Sequence, residues 1–270
     1  MTTDERPLIL VTNDDGIRSP GLRAAVQAVL ELGDVLVAAP CQQWSGASRS
    51  LPTSSSGVIQ AHPLEVAGRT VTGFCVDGTP AQVVLHALLE LVPRRPALLV
   101  VGINYGENLG ADVTISGTIG AALQGASCGL AALAVSLQTP PETHTAPSDD
   151  VDFSAAIHFT RLFARRLLTV ALPFDVDVLK VDLPAEATPQ TPWRLVRVSR
   201  QTYYRPLKPL RDDLATPGRV GYRAHCDPLA VERDSDIAVL AVERVVAVTP
   251  LSLDLTARAD LGQVEELLRR

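Results

Sequence analysis

Runs of consecutive apolar residues, each ending in a polar or glycine-rich turn, are the feature that constrains the fold most. Four such runs lie at residues 7–11, 34–39, 96–101 and 130–137, and Val, Leu, Ile and Ala dominate them. Strands that are apolar on both faces are typical of a parallel sheet covered by helices on both sides. The pattern therefore predicts an α/β protein with a mostly parallel sheet.

The opening of the chain indicates how these strands are joined. Ser19 and Pro20 suit the N-cap and first position of a helix, which the apolar spacing extends to about Leu32 before Gly33 ends it. A strand, a helix and a second strand in this order form a βαβ unit, whose crossover is right-handed in nearly all proteins. The first two strands are therefore expected to be parallel.

The same periodicities predict the remaining elements. Strands at 58–66 and 69–76 are expected to form a hairpin around Ala67 and Gly68. The other predicted helices cover residues 81–91, 121–128, 150–170, 235–242 and 261–268, and the other predicted strands cover 177–183, 193–199 and 244–250. Residues 202–228 are polar, carry four prolines and bury too little apolar surface to fold alone, so they are predicted to form an extended arm for contacts between subunits.

Composition limits the class of protein. The 270 residues suffice for a single α/β domain, and a hydrophobic content of 46% is ordinary for a globular protein. No apolar run approaches the roughly 18 residues of a membrane-spanning helix, and residues 1–6 lack the apolar block of a signal peptide. The net charge of −6 disfavours binding to a nucleic acid duplex. A cytoplasmic protein of one domain, 1–270, without a membrane partner is expected.

Cysteine, histidine and glycine motifs exclude several familiar sites. Cys41, Cys75, Cys128 and Cys226 form no C-x-x-C pair, so neither a zinc site nor, in the cytosol, a disulfide is expected. The five histidines form no H-E-x-x-H pair, and none is an obvious general acid. The chain also lacks G-x-G-x-x-G after the first strand and lacks a Walker-type G-K-[ST], which disfavours a dinucleotide site and a P-loop.

The stretch Asn13-Asp14-Asp15-Gly16 directly follows the first apolar run. In open α/β sheets, ligands bind outside the carboxyl ends of the strands, where this stretch lies. If Asp14 and Asp15 converge, they repel each other, and a hard divalent cation such as Mg²⁺ or Mn²⁺ relieves that repulsion. An ordinary polar turn is the alternative, because Asn, Asp and Gly favour turns.

Further polar groups follow other strands. Ser45 and Ser48 lie in a serine-rich loop after the second strand, and Asn104 lies in the glycine-rich stretch 102–110. Residues 116–118, Ser-Gly-Thr, open a helix, where hydroxyl and free N–H groups suit an anion. A solvated loop and an ordinary N-cap are the alternatives for the serine-rich loop and the helix start.

Taken together, these stretches resemble the SurE survival-protein family of metal-dependent 5′-nucleotidases. The matching residues are 13–16, 45–48, 78–80, 102–110, 116–118, 249–251 and 254–256, in the order of the family. The resemblance implies a Rossmann-like fold with an extended C-terminal hairpin used in a homodimer or homotetramer. It also implies hydrolysis of nucleoside 5′-monophosphates, with short polyphosphate as a further substrate.

The resemblance also implies a set of site residues. One divalent cation, Mg²⁺ or Mn²⁺, is expected on Asp14, Asp15, Ser45 and Asn104, all in loops after strands, with Asp14 and Asp15 as the catalytic carboxylates. Phosphate or substrate is expected to contact Asn104, Ser48, Ser116, Gly117 and Thr118. Whether Asp14 or a water molecule attacks phosphorus stays open.

The chain departs from the family pattern at three places that spare the metal ligands. Cys41-Gln42 replaces an Asp-Arg pair, Val101 replaces a serine, and Gln82-Val83 replaces Asp-Cys. These departures bear on substrate preference. A non-catalytic nucleotide-binding stress protein on the same fold is the alternative function, because fold does not fix function. A haloacid-dehalogenase-type phosphatase is disfavoured, since it needs Asp-x-Asp after the first strand.

Overall fold

A nine-stranded, mostly parallel sheet forms the centre of the computed structural model, which describes residues 6–144 and 148–270. In spatial order its strands are β10 (Trp193–Leu195), β13 (Val246–Leu251), β9 (Val178–Leu183), β8 (Ala132–Leu137), β7 (Leu98–Tyr105), β1 (Leu8–Thr12), β2 (Asp34–Pro40), β6 (Gly73–Val76) and β3 (Ile59–Ala61). The β3–β6 and β9–β13 pairs are antiparallel, and the other neighbouring pairs are parallel. The predicted α/β class is confirmed.

Two pairs of helices cover the two faces of the sheet. Helices α1 (Pro20–Val29) and α4 (Ser154–Leu167) pack on one face, and α2 (Pro80–His86) and α3 (Gly117–Ser127) pack on the other. Strand β1 is buried along its whole length: Ile9 and Val11 join the first core, while Leu8 and Leu10 join the second. This two-sided burial explains why the strand is apolar without alternation. No helix among the described residues is long and apolar enough to cross a bilayer.

Two small antiparallel hairpins lie outside the main sheet. Strands β4 (Leu64–Val66) and β5 (Arg69–Val71) turn at Ala67 and Gly68, whose φ angles are both positive, as the tight hairpin turn requires. Strands β11 (Tyr204–Leu207) and β12 (Gly221–Ala224) form the base of the predicted arm. The backbone N–H groups of Tyr203 and Tyr204 donate to Asp112 Oδ2 at 2.9 and 2.7 Å, which anchors that base to the domain.

Several elements are shorter than predicted, for local reasons. The strand predicted at 58–66 is divided into β3 and β4 around Pro63, which lacks the N–H that a strand ladder needs. Helix α4 begins at Ser154 instead of 150, because Asp152 Oδ1 accepts from Ser154 N–H at 2.8 Å and so turns the chain there. The helices predicted at 81–91 and 235–242 end in π-helical turns, Ala87–Leu91 and Ala238–Val242. The terminal helix α5 (Leu261–Leu268) forms with no buried residue.

The expectation that the cysteines form no disulfide is wrong for one pair. Cys41 follows β2 and Cys75 lies in the neighbouring β6, so their Cα atoms are 5.0 Å apart and their sulfur atoms are bonded. The two residues are 34 positions apart, and only the adjacency of β2 and β6 brings them together. Cys128 and Cys226 are free thiols. The expectation about residues 1–6 falls almost wholly on residues 1–5, outside the described part of the chain.

Candidate active site

The turn after β1 is closed by its own asparagine. Asn13 Oδ1 accepts from Gly16 N–H at 3.2 Å, and Asn13 Nδ2 donates to the Gly16 carbonyl at 3.1 Å. Gly16 has a φ of +96°, in the region that favours glycine. This turn holds both Asp14 and Asp15 at the carboxyl end of β1.

Asp14 is buried against the start of helix α3. Asp14 is only 5% exposed, and Thr118 Oγ1 donates to Asp14 Oδ1 at 2.6 Å. A Cβ atom at Gly117 would lie 2.7 Å from Asp14 Oδ2, so only glycine allows the helix to start this close to the carboxylate. The Thr118 hydroxyl therefore positions Asp14 instead of facing the cavity.

Asp15 is held from two other elements. Gln43 Nε2 donates to Asp15 Oδ1 at 3.1 Å, and Tyr105 N–H donates to Asp15 Oδ2 at 3.4 Å. Within residues 6–144 and 148–270, neither Asp14 nor Asp15 has a basic group within ion-pair distance.

Both carboxyl groups are buried without a positive partner among the described residues, and this raises their pKa values. Burial raises the pKa of Asp14 to about 6, against the opposing effect of its hydrogen bond from Thr118. Burial and, second, the charge of Asp14 raise the pKa of Asp15 to about 8. The two carboxylates thus lie where negative charge is costly, which is typical of a site completed by a cation.

A cavity of about 300 Å³ opens beside Asp14. Ser45, Asn104, Ser116 and Gly117 line it together with Asp14. Three of the four residues expected to bind metal therefore share this cavity, and the fourth, Asp15, lies next to Asp14 in the turn. Their metal-binding role stays a prediction.

Asn104 reaches the cavity through an irregularity in β7. It is the second-last residue of this strand, so the expectation that it lies in a loop after the strand is wrong. The pairing of β7 with β8 shifts register between Val101 and Asn104, where Gly102 has a φ of +129°. The Asn104 amide nitrogen donates to the Gly106 carbonyl at 2.7 Å, so the side-chain oxygen is the atom that could accept or bind a ligand.

The start of α3 presents polar groups that suit an anion. Ser116 is the N-cap, and its Oγ accepts from Ile119 N–H at 3.1 Å, so its own hydroxyl proton remains available. The first N–H groups of a helix lack partners within the helix and favour an anion. Ser116 and Gly117 line the cavity, and Thr118 lies behind Asp14.

Two predicted serines occupy different positions. Ser45 is exposed at the cavity, with its Oγ 3.5 Å from the His144 carbonyl. Ser48 is not among the described cavity-lining residues, and its Oγ donates to the Thr114 carbonyl at 2.8 Å. Ser48 thus braces the loop that follows β7, and its contact with substrate stays a prediction.

The cavity is also lined by residues that the sequence did not single out, among them Glu107, His144, Tyr204 and Tyr222. Glu107 lies in the glycine-rich stretch, which was itself a signal. His144 comes from a proline-containing loop, and the two tyrosines come from the arm, so no periodicity links them to β1. The histidine spacing gave no sign of this position of His144, because His144 belongs to no H-E-x-x-H pair.

The fold is that of a Rossmann-like α/β protein, and the cavity beside Asp14 lies at the carboxyl edge of its sheet. The chain belongs to the SurE family, because the family model described as Survival protein SurE matches residues 9–205. This confirms the resemblance deduced from the motifs.

Individual relatives align with this sequence over nearly the whole chain. The protein named 5′-nucleotidase SurE from Thermococcus gammatolerans is 37% identical over 262 residues, covering 96% of this chain and 95% of the relative. The protein of the same name from Methanothrix thermoacetophila is 38% identical over 269 residues, covering 96% of this chain and 98% of the relative. The crystal structure of the SurE protein from Aquifex aeolicus superposes with a TM-score of 0.73 at 27% identity, covering 97% of this chain and 100% of that one.

Proposed function

We propose that the protein is a metal-dependent 5′-nucleotidase that hydrolyses nucleoside 5′-monophosphates to nucleoside and phosphate. The observation that carries this proposal is the contact between the Asp14 carboxylate and the start of α3 at one cavity. A carboxylate pair that needs a cation and a helix start that suits phosphate are the parts a phosphomonoesterase requires. The curated relatives named 5′-nucleotidase support the same substrate.

The oxygen atoms around the cavity fit one Mg²⁺ or Mn²⁺. Asp14, Asp15, Ser45 and Asn104 would hold it, since the two carboxylates are buried and have no basic partner among the described residues. Residues 6–144 and 148–270 contain no cluster of three or more His, Cys, Asp or Glu, so the hydroxyl and amide oxygens have to contribute. When bound, the cation would polarise a phosphoryl oxygen and offset the carboxylate charge.

The protein's own groups then divide the remaining work. The Ser116 hydroxyl and the Gly117 N–H group hold the phosphate, with Asn104 facing it from β7. The predicted contact of Thr118 with phosphate is indirect, because its hydroxyl and its N–H group both bond to Asp14. Asp14 lines the cavity and is the carboxylate placed to take a proton from an attacking water. Thr118 and Gln43 keep Asp14 and Asp15 in position.

A phosphate-release panel tests the proposal directly. The purified protein is assayed with nucleoside monophosphates and with short polyphosphate, in Mg²⁺, in Mn²⁺ and in excess chelator. We expect phosphate release with either metal and almost none with chelator. Full activity in chelator contradicts the metal requirement. Nucleotide binding without any phosphate release favours the non-catalytic nucleotide-binding protein.

The arm is proposed to hold subunits together in a homodimer or homotetramer. Its tip, between β11 and β12, exposes Leu210 and Leu214 by 99% and 84%, which is costly unless a partner covers them. We expect the double variant Leu210→Ser/Leu214→Ser to lower the mass measured by light scattering. Leu229→Ser, equally exposed but outside the hairpin, is the matched control and keeps the native mass. A monomeric mass for the wild-type protein at micromolar concentration contradicts this assembly.

A cytoplasmic location is also part of the proposal, and the Cys41–Cys75 pair offers a check. The structure bonds Cys41 to Cys75, whereas reducing conditions in most cytoplasms keep thiols free, so a cytoplasmic location predicts that this pair is reduced and alkylated in freshly lysed cells. Resistance to alkylation before reduction contradicts a reducing compartment.

A further inference from the structure

A disulfide lies beside the acidic turn, and the proposed reaction does not use it. Cys41 directly follows β2, Cys75 lies in the neighbouring β6, and their sulfur atoms are bonded. Cys41 is exposed to solvent, whereas Cys75 is 8% exposed, so a reagent in solution reaches the bond from the Cys41 side. Disulfides that solvent reaches exchange with thiols more readily than enclosed ones. Cys41 also stands where this chain departs from the family pattern, so the family resemblance does not imply this bond.

The segment 41–45, which begins at the exposed cysteine, contacts both residues of the acidic turn. Gln43 Nε2 donates to Asp15 Oδ1 at 3.1 Å, and Trp44 N–H donates to the Asp14 carbonyl at 2.8 Å. The last residue of the segment is the serine at the cavity that is proposed as a metal ligand. The position of this segment therefore affects the surroundings of both carboxylates and one of the neutral oxygen atoms of the proposed metal site.

The disulfide ties down the start of this segment. Strands β2 and β6 are paired up to Pro40 and Val76, so the segment begins where their ladder stops. The Cys41 N–H group donates to the Val76 carbonyl at 3.0 Å, and the disulfide adds a covalent tie at the same point. Opening the bond leaves hydrogen bonds and packing alone to hold the start of the segment. The segment then gains conformational freedom, and its contact with Asp15 is formed for less of the time.

We propose that the Cys41–Cys75 pair is a thiol-exchange site whose state controls the affinity for the divalent cation. With the bond closed, Gln43 stays on Asp15 and Ser45 stays at the cavity, and with the bond open the affinity falls. The inference rests on the proposed function, because the response occurs at the proposed metal site. A group that hydrogen-bonds a metal ligand contributes about 10- to 100-fold in metal affinity. Opening the bond loosens Gln43 without removing it, so a fall of about tenfold is expected.

The exchange is a two-electron reaction with a dithiol. One thiolate of the dithiol attacks Sγ of Cys41, the bond between the two sulfur atoms breaks, and Cys75 leaves as a thiolate. The second thiolate of the dithiol attacks the mixed disulfide, which frees Cys41 and leaves the reagent as a cyclic disulfide. The dithiol supplies both electrons, and its two protons reach the protein thiolates through water. In the reverse direction diamide, a diazene, accepts two electrons and two protons and becomes a hydrazine.

Binding of Mn²⁺ tests the inference without an activity assay. The paramagnetic resonance signal of free Mn²⁺ gives its Kd for the wild-type protein, once with the bond closed by diamide and once with it opened by dithiothreitol. Both reagents are removed first, the mass of the protein confirms each state, and circular dichroism confirms that each is folded. We expect the Kd to rise about tenfold when the bond opens. An unchanged Kd overturns the inference, and so does failure of diamide to join Cys41 to Cys75.

Variants locate the response in the chain. Cys41→Ser and Cys75→Ser cannot form the bond, so each is expected to bind Mn²⁺ like the opened wild type and to ignore both reagents. Cys128→Ser lacks one of the free thiols and keeps the full response, which makes it the matched control. Gln43→Leu removes the contact with Asp15, so its affinity is low in both states and the response shrinks. A full response in Cys41→Ser overturns the inference, and one in Gln43→Leu overturns the role of that contact.

Phosphate release from AMP, measured on the same samples, distinguishes failure of the inference from failure of the proposed function. If both states bind Mn²⁺ equally and release phosphate, only the inference fails. If Mn²⁺ binding responds to the bond but no phosphate is released, the inference stands and the catalytic proposal fails. If neither state binds Mn²⁺, the proposed metal site fails and the inference fails with it. Should Cys41→Ser not fold, the two states of the wild-type protein still decide.

Discussion

Two groups of carboxylates are buried in this fold, and they differ in what neutralises them. Asp182 and Asp236 surround the ammonium group of Lys180, whereas Asp14 and Asp15 have no basic partner in the described part of the chain. The first group contains its own cation, and the second has none among the described residues. We therefore expect the Lys180 cluster to stabilise the fold and the Asp14–Asp15 pair to bind a ligand.

The lysine cluster is fully enclosed and fully bonded. Lys180 and Asp182 lie two residues apart on β9 and therefore share a face, and neither is exposed to solvent. Lys180 Nζ donates to the Asn108 carbonyl at 2.7 Å and to Asp236 Oδ2 at 3.1 Å. Asp182 Oδ1 accepts from Asn108 N–H at 2.7 Å. The cluster thus clamps the glycine-rich stretch, which lines the cavity, onto β9.

The pKa values show this difference for Asp15, whereas the pKa of Asp14, which the Thr118 hydrogen bond opposes, is raised to about 6. Burial acts to lower the pKa of Lys180, but the charges of Asp182 and Asp236 outweigh it and the pKa is raised. Burial raises the pKa of Asp182 only to about 6, because Lys180 opposes the shift. Asp15 has no such opposing charge, and its pKa is raised to about 8. A buried charge that stays unpaired is typical of a functional site.

Removing the internal cation should have the largest effect on stability. In Lys180→Met, Asp182 and Asp236 are left buried and unpaired, so we expect a loss of about 3–5 kcal/mol in the free energy of unfolding. Urea denaturation measures it. Arg197→Met is the matched control, since it breaks an ion pair with Asp234 at the surface and should change the free energy of unfolding far less. Similar losses for the two variants would contradict the special position of Lys180.

Removing one carboxylate from the unpaired group should have the opposite effect on stability. Asn in place of Asp14 keeps an oxygen for Thr118 but carries no charge, so the metal-free protein should be at least as stable as the wild type. Activity on nucleoside monophosphates should fall by about 100-fold or more, because the cation loses a ligand. Asp213→Asn, in the exposed arm, is the control and should change neither quantity. Retention of activity in Asp14→Asn would remove Asp14 from the site.

The contrast also shows what the sequence could reveal. Adjacent carboxylates after an apolar strand, and a Ser-Gly-Thr helix start, are local patterns, and both lie at the cavity. Lys180 and Asp182 are equally local, yet their partner Asp236 lies 56 residues from Lys180, so the cluster was not predicted. His144, Tyr204 and Tyr222 come together only through the arm and the chain around the cavity. The apolar periodicity predicted the sheet, and the turn and capping patterns predicted the polar residues at the cavity. The other residues at the cavity come together through contacts between segments that are distant in the sequence.

The free energy of unfolding of the metal-free protein should depend on pH because of the raised pKa of Asp15. Its pKa is raised in the folded state, so the native protein holds a proton that the unfolded chain releases near pH 4. Stability is therefore greatest below pH 4 for this group and is lost as the pH rises to about 8. Asp14 and Asp182, with pKa values of about 6, add to the loss only up to that pH.

The window between pH 6 and 8 consequently isolates Asp15. We expect the free energy of unfolding of the metal-free wild type to fall across this window and that of Asp15→Asn to stay level. Mg²⁺ at 100 times its Kd should stabilise the wild type at pH 8 by about 2.7 kcal/mol. Urea denaturation with and without Mg²⁺ gives both numbers. A level profile for the metal-free wild type would show that Asp15 is already neutralised within the protein.

The smallest expected effect concerns the anion side of the same site. Ser116→Ala removes a hydroxyl that can donate to a charged oxygen, a contact of about 1.5–3 kcal/mol, so inhibition by vanadate should weaken by about tenfold or more. Metal affinity should stay the same, because Ser116 contributes nothing to the carboxylate pair. The variant also loses an N-cap, which costs about 1 kcal/mol of stability. Thr79→Ala removes the N-cap of α2, away from the described lining of the cavity, and controls for that loss. Equal vanadate inhibition in the two variants would show that Ser116 only caps its helix, and that the acidic pair contacts phosphate without it.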